Sequence, residues 1–394
     1  STQGVSSAAS DVYKRQMQNK KIGILTVHKI VNNGSLLQAL ATQRALYNLG
    51  YNSEIIDYDY PNKFHSDGEK SIGIVVKISR SFKSAILSLI KLLFYRNRIS
   101  MSKIVSDFVS KNLRLSPKRY KSGEEIRANP PYYDVYVSGS DQIWNPRYMK
   151  GDGVYFLDFV KNGAKKISYA SSIAVSEIKE SMRKIYAERL STYSSISLRE
   201  KTGVDLIEKL TGKKASLVCD PTLLLTREEW DSFISPPTIK IATPYILAYI
   251  LSYSYNPYPE VFSLLKDLGK KTGLPVVFLS LPPREAFHAF SSTKIASASP
   301  SDFINLIKNA SYVFTTSFHG SIFSLIYNRP LVCYTNPNDS RLTDLLETMG
   351  CANCAVPFGS KSLPPDIQID FSVVNEQMKK IRKESYSYLK NALE

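Results

Sequence analysis

Tyr312-Val-Phe-Thr-Thr-Ser-Phe-His-Gly-Ser-Ile-Phe-Ser-Leu-Ile-Tyr-Asn-Arg-Pro-Leu-Val-Cys-Tyr334 is the stretch whose reading decides the fold. Tyr312 to Phe314 predicts a buried strand, Thr315 to Gly320 a loop, Ser321 to Tyr327 a short helix and Leu331 to Tyr334 the next strand. A strand–helix–strand unit this compact belongs in a parallel sheet covered by helices. Ligands of such sheets sit at the carboxyl ends of strands, against helix N-termini. His319, one of four histidines in the chain, falls at such a place, beside a glycine and four hydroxyl residues.

Upstream of this unit the same alternation repeats. Tyr245 to Leu251 predicts a strand, Glu260 to Lys270 a helix and Leu274 to Leu281 a strand. A further helix runs from about Pro300 to Ala310, opened by a capping box with proline in its first turn, Ser299-Pro300-Ser301-Asp302. Ser235-Pro236-Pro237-Thr238 reads as a linker, and before it lies an independent alternating block. Lys21 to Val27 is its first strand, residues 36–49 its first helix with Gly50 as the stop, and Asn52 to Tyr58 its second strand. Tyr133 to Val137, Lys166 to Ala170 and Ser194 to Leu198 continue the series, with a helix over Ser176 to Leu190.

The class that follows is α/β, with two Rossmann-like domains facing each other across a cleft. The expected division is a disordered tail foreign to the protein (1–16), a first domain (17–235), a second (240–372) and a C-terminal helix (373–394) that crosses back onto the first. The length of 394 residues agrees with two cores rather than one. Residues 70–120 interrupt the first domain as a basic helical insertion. Ile72 to Lys77, Ala85 to Tyr95 and Ile104 to Leu113 have helical amphipathic spacing, and Lys83, Lys91, Arg96, Arg98, Lys103, Lys111, Arg114 and Lys118 face one acid, Asp107. Two readings stand side by side: a solvated face, and a peripheral contact with an anionic membrane.

The formal charge of +16 can attract nucleic acid, anionic lipid or an anionic substrate, and decides nothing about fold. Nucleic acid ranks lowest, since no recognised binding module accompanies the charge. Apolar runs stay short of the ~18–20 residues of a spanning helix, and the N-terminus lacks a secretory apolar region. Four unevenly spaced cysteines give no disulfide framework, and Cys351-Ala-Asn-Cys354 is a lone C-x-x-C, so a cytoplasmic compartment is expected and a zinc or redox role is not. The 25 tyrosines suit sugar-handling clefts and ordinary cores equally.

Several residues stand at strand ends. Ser140 and Asp141 follow the Tyr133–Val137 run, with Trp144 just beyond, either stacking on a sugar or packing in the core. Arg199 ends the Ser194–Leu198 run. It reads as an ion pair with Glu200 or another acid, or as a fork for phosphate or carboxylate, the task guanidinium geometry suits best. The single glycine after the first strand, Gly34, argues against a dinucleotide fingerprint. Asp57 and Asp59 form a D-x-D pair that reads as a solvated turn rather than a metal site. His28 could line the cleft; His65 and His288 fall in polar loops.

The combined segments resemble the polysaccharide pyruvyl transferase family. They are Asn32-Asn33-Gly34-Ser35-Leu36-Leu37-Gln38-Ala39-Leu40, Ser138-Gly139-Ser140-Asp141-Gln142-Ile143-Trp144-Asn145, Ile167-Ser168-Tyr169-Ala170-Ser171-Ser172, Ser197-Leu198-Arg199-Glu200, Cys219-Asp220-Pro221-Thr222-Leu223-Leu224 and Ser317-Phe318-His319-Gly320. The resemblance implies a GT-B-like fold and transfer of pyruvyl from phosphoenolpyruvate to a sugar as a cyclic ketal, during cell-surface polysaccharide synthesis. It implies His319 as the proton-transfer residue, since histidine's unperturbed pKa lies near neutrality. Arg199 and Arg341 would hold the anionic donor, with Asn33, Gly34, Ser140, Asp141, Ser317 and Gly320 lining the substrate site. Phosphoenolpyruvate is a substrate, so no cofactor or metal is expected. The partners implied are phosphoenolpyruvate and a saccharide acceptor, lipid-linked in one version, which would place the protein at the inner face of the membrane. The family often carries arginine where this chain has Ser317, which removes one expected cation. The nearest rival is a GT-B glycosyltransferase using a nucleotide sugar. A more distant one is a non-catalytic assembly or membrane-docking protein.

Overall fold

The structure is a computed structural model that describes residues 20–59, 101–149, 152–161, 163–242, 244–252, 255–280, 293–336 and 339–394. The expected tail, the expected helices over 72–77 and 85–95, and His65 and His288 lie outside the described residues.

Short apolar segments buried on both faces make the strands. Ile22–Leu25 (β1) and Val135–Ser138 (β4) are buried throughout, as central parallel strands must be when helices cover both faces. Ser53–Tyr58 (β2) pairs with β1, and β1 with β4, through Ile22↔Ser53 and Ile22↔Val135. Leu115–Tyr120 (β3) and Lys165–Ser168 (β5) complete a five-stranded parallel sheet of order β3-β2-β1-β4-β5. Ile196–Leu198 (β6) and Ala215–Leu217 (β7) form a parallel pair, and single bridges Ile167↔Ser195 and Ser171↔Leu198 tie it to β5 and the segment after it.

The second sheet is six-stranded and parallel. Its strands are Ile246–Tyr249 (β8), Val276–Leu279 (β9), Thr293–Ile295 (β10), Tyr312–Thr315 (β11), Leu331–Thr335 (β12) and Ala355–Pro357 (β13), in the order β10-β9-β8-β11-β12-β13. In both sheets strand order reverses beside the first strand, and the switch point at the strands' carboxyl ends is where a crevice opens. The linker is fastened by Asp302, whose carboxylate accepts from Thr238 N at 2.7 Å and Thr238 Oγ1 at 2.8 Å. The last helix, Phe371–Leu393, lies on the first half: Arg382 Nε donates to Leu223 O at 2.8 Å, and Tyr388 Oη to Ser168 O at 2.9 Å.

Three expectations change here. Residues 101–112 are helical, but Leu115–Tyr120 is an edge strand rather than part of a helical insertion. Pro117, which cannot donate a backbone hydrogen bond, is tolerated at an edge, and Ser116 Oγ accepts from Asp57 N at 2.9 Å. The basic residues here also meet more acids than Asp107. Arg114 pairs with Glu54 at 3.1 Å, Lys118 with Glu125 at 3.6 Å and Arg119 with Asp59 at 2.8 Å. Those acids come from elsewhere in the chain, which local sequence cannot reveal. For the same reason the D-x-D pair is no solvated turn. Asp57 is buried within β2 against His28 and Lys29, and Asp59 accepts both Nε and Nη2 of Arg119.

Candidate active site

The helix after β11 runs Phe318–Ile326, so His319 and Gly320 lie in its first turn instead of a loop. Ser317 is the reason: its Oγ accepts from Gly320 N at 3.2 Å and starts the helix three residues early. Its hydroxyl is thereby engaged as a cap. Gly320 is sealed in, because a Cβ there would lie 2.9 Å from Thr315 Oγ1.

Facing this turn is the N-terminus of the helix Asn33–Asn48, capped by the Asn32 side chain. Asn33 Nδ2 donates to Ala298 O at 3.3 Å, a bond between the two halves. Gly34 lies against the imidazole, where a Cβ would fall 2.1 Å from His319 Nδ1. Any side chain at 34 would collide with the ring, so here glycine is required by close approach rather than by φ.

His319 is 7% exposed. Its Nε2 stands 3.7 Å from Asp220 Oδ2, within ion-pair range and beyond a hydrogen bond, and finds no hydrogen-bond partner among the described residues. The same Oδ2 accepts from Arg199 Nη1 at 2.7 Å and Ser140 Oγ at 3.3 Å. Asp220 Oδ1 accepts from Thr222 N at 3.0 Å and Thr222 Oγ1 at 2.6 Å, capping the short helix Pro221–Leu224. Burial works against ionisation of Asp220, but His319, Arg199 and the Thr222 bonds outweigh it and hold the carboxyl well below its usual range. Asp141 is held low in the same way: burial opposes, while Arg199 and His319 and a 2.5 Å bond from Ser35 Oγ prevail.

Arg199 is wholly buried at its side chain. It pairs with Asp220 and, through Nη2 at 3.4 Å, with Asp141, and not with its neighbour Glu200. Its guanidinium carbon lies 4.5 Å from the centroid of the Phe318 ring, and that of Arg341 lies 5.7 Å from the same ring. Arg341 is forked onto Asp339, Nε to Oδ1 at 2.8 Å and Nη2 to Oδ2 at 2.5 Å. With its amide oxygen toward Arg341, Gln142 accepts from Nη1 at 2.8 Å.

The structure thus brings together His319, Gly34, Ser140, Asp141 and Arg199, with Arg341 near the same Phe318 ring. The sequence profile of the polysaccharide pyruvyl transferase family matches residues 32–338, more than half of the chain. The chain belongs to that family. The matched span holds every residue just named except Arg341, which follows three positions after it. No curated protein sequence gives a significant match. Among solved structures, the S. aureus MnaA–UDP co-structure is similar, with a TM-score of 0.51 at 12% identity over 94% of this chain and 90% of the other. The UDP-GlcNAc 2-epimerase of Methanocaldococcus jannaschii in complex with UDP-GlcNAc and UDP gives 0.46 at 14% identity, over 93% and 99%. At 12% identity the first of these likenesses speaks for the fold alone, α/β with two Rossmann-like domains of the GT-B kind.

For a transferase of this family the remaining candidates sort clearly. Trp144 is core: fully buried, stacked on Phe156 with centroids 5.8 Å apart, its Nε1 donating to Tyr155 O. His28 is buried, its Nδ1 3.0 Å from Thr26 O and its Nε2 3.4 Å from Asp57 Oδ1. Cys351 and Cys354 are buried free thiols, and the described residues contain no cluster suited to a metal. No described helix is long and apolar enough to cross a membrane. Asp220 and Phe318 lay within the resembling segments without an assigned part. Aspartate before proline at a strand end is an N-cap signal that could have drawn attention to Asp220. Asp339, two residues from Arg341, carries the same kind of signal, since it caps the helix Ser340–Thr348.

Proposed function

We propose that this family member transfers the pyruvyl group of phosphoenolpyruvate to a sugar diol, forming a cyclic ketal and releasing phosphate during cell-surface polysaccharide synthesis. The observation that carries the reading is His319 Nε2, without a hydrogen-bond partner among the described residues, 3.7 Å from the Asp220 carboxylate that also holds Arg199, with the Arg199 and Arg341 guanidiniums both near the ring of adjacent Phe318. Two hydroxyl protons must be relocated in the reaction, one to the donor's methylene carbon and one to the departing phosphate. His319 is the group suited to move them, with Asp220 stabilising its imidazolium form. The donor's carboxylate and phosphate rest on Arg199, Arg341 and the N–H groups of the helix beginning at Phe318. In the same scheme Asn33, Ser140 and Asp141 contribute to substrate binding, and no metal or cofactor enters it.

A lipid-linked acceptor and work at the inner membrane face belong to the same proposal. The acid partners of Arg114, Lys118 and Arg119 weaken the membrane part over those residues. Mass spectrometry of the protein with phosphoenolpyruvate and a panel of free and lipid-linked sugars tests the reading, and a pyruvyl ketal is expected. Glycosyl transfer from a nucleotide sugar, with no ketal from phosphoenolpyruvate, would overturn it.

A further inference from the structure

One carboxyl beside the anion site has no part in this chemistry. Glu200 follows Arg199 at the end of β6 and is 1% exposed. Its two oxygens are treated unequally. Oε1 accepts from Ile173 N at 2.7 Å and Ala174 N at 3.1 Å, whereas Oε2 finds no donor among the described residues. The segment it holds, residues 171–174, is the wall of the site: Ser172 N donates to Asp141 O at 3.0 Å, and Arg199 N to Ser171 O at 3.4 Å.

The charged groups around Glu200 are Arg199 from its own segment and Arg341 from the helix Ser340–Thr348. That helix also brings Asp344, which accepts from Thr202 N at 3.0 Å. The 171–174 segment contributes backbone N–H groups and serine hydroxyls only. An ionised carboxylate would leave charge on a buried oxygen with no donor, a far costlier arrangement than a neutral one. A neutral carboxyl is the cheaper occupant: its carbonyl at Oε1 accepts twice, and Oε2 then buries an unpartnered O–H rather than an unpartnered charge. Burial likewise pushes the group's pKa up, against the pull of Arg199.

We propose that Glu200 is a positioning residue that works as a neutral carboxyl, anchoring the 171–174 segment behind Arg199 and keeping a further negative charge out of the anion site. The consequence for donor binding rests on the phosphoenolpyruvate reading; the protonation state does not.

The experiment compares melting temperatures of wild type, Glu200→Gln and Glu200→Ala from about pH 5 to about pH 9, then binding of sulfate and phosphoenolpyruvate over the same range. A carboxyl whose folded pKa is raised gives its full stability below the unfolded value of about 4.3, and loses it as pH rises through the folded value. Wild type should therefore fall behind Glu200→Gln as pH rises, while Glu200→Ala, lacking the acceptor, is less stable throughout. Sulfate, whose charge is constant over this range, should bind Glu200→Gln within about threefold of wild type at low pH and more tightly than wild type at high pH. A Glu200→Gln variant as unstable as Glu200→Ala at neutral pH would overturn the proposal, as would a wild-type difference that does not change with pH. Failure of phosphoenolpyruvate to bind wild type, with melting temperatures as stated, would instead overturn the donor reading and leave Glu200's role intact.

Discussion

His319 Nε2 lies 3.7 Å from Asp220 Oδ2, the oxygen that also takes the Arg199 Nη1 hydrogen bond at 2.7 Å. One carboxylate therefore holds the guanidinium proposed to bind the anionic donor and faces the imidazole proposed to move protons. On the proposed roles, proton transfer and anion binding would be coupled through this single buried side chain, and perturbing it should disturb both.

Replacing Asp220 by asparagine takes the closer charge partner from a fully buried guanidinium and leaves it Asp141 and Ser140 Oγ, both at 3.4 Å. Removing one partner of a buried pair costs about 3–5 kcal/mol, which urea denaturation would register. The pH dependence follows from the depressed carboxyls. Asp220, Asp141 and Asp339 are all held low, so their contributions are present above the unfolded pKa of about 3.9 and lost as pH falls below it. Asp220→Asn should therefore show a shallower loss of stability on acidification than wild type.

Gly34→Ala should act on His319 without touching the chemistry directly. A methyl 2.1 Å from Nδ1 must push the imidazole aside, and an angstrom-scale displacement of a catalytic group can lower rate by about 100-fold. Turnover should collapse while circular dichroism stays native. Ordinary turnover in this variant would mean that the ring's present position is unimportant.

Phe318→Leu removes a ring whose centroid lies 4.5 and 5.7 Å from two guanidiniums while keeping an apolar side chain. Such contacts are worth roughly 0.5–2 kcal/mol. The expected result is a raised KM for phosphoenolpyruvate with a smaller change in kcat. A purely packing role would lower the melting temperature and leave KM unchanged.

Trp144→Ala should cost about 3–5 kcal/mol by urea denaturation, as deletion of a large core aromatic does. Acceptor KM should be unaffected at temperatures where the variant stays folded. A selective loss of acceptor binding would restore the stacking role.

Much of this was legible in the chain. Buried-type runs such as Ile22–Leu25 and Tyr312–Thr315 declare parallel strands, because both of their faces are apolar. The strand-end positions of Asp141, Arg199 and His319 follow from the same runs. What the chain hid was decided by long-range partners. Arg199 chooses Asp220 and Asp141 over adjacent Glu200, and Asp57 is buried by His28 and Lys29. The start of the His319 helix turned on a cap: Ser317, noticed for the cation it does not supply, is the residue that begins the helix. Trp144 was undecidable locally, since an aromatic after a turn suits a cleft or a core, and Phe156 decides it.

The central claim is that His319 moves the protons of pyruvyl transfer. The direct measurement is phosphate release from phosphoenolpyruvate, with acceptor sugar present, by wild type and His319→Ala, with circular dichroism as the control for folding. The account predicts release by wild type and a fall of at least about 100-fold in a natively folded His319→Ala, in line with the loss of a general acid–base group. Near-normal release by that variant would contradict it.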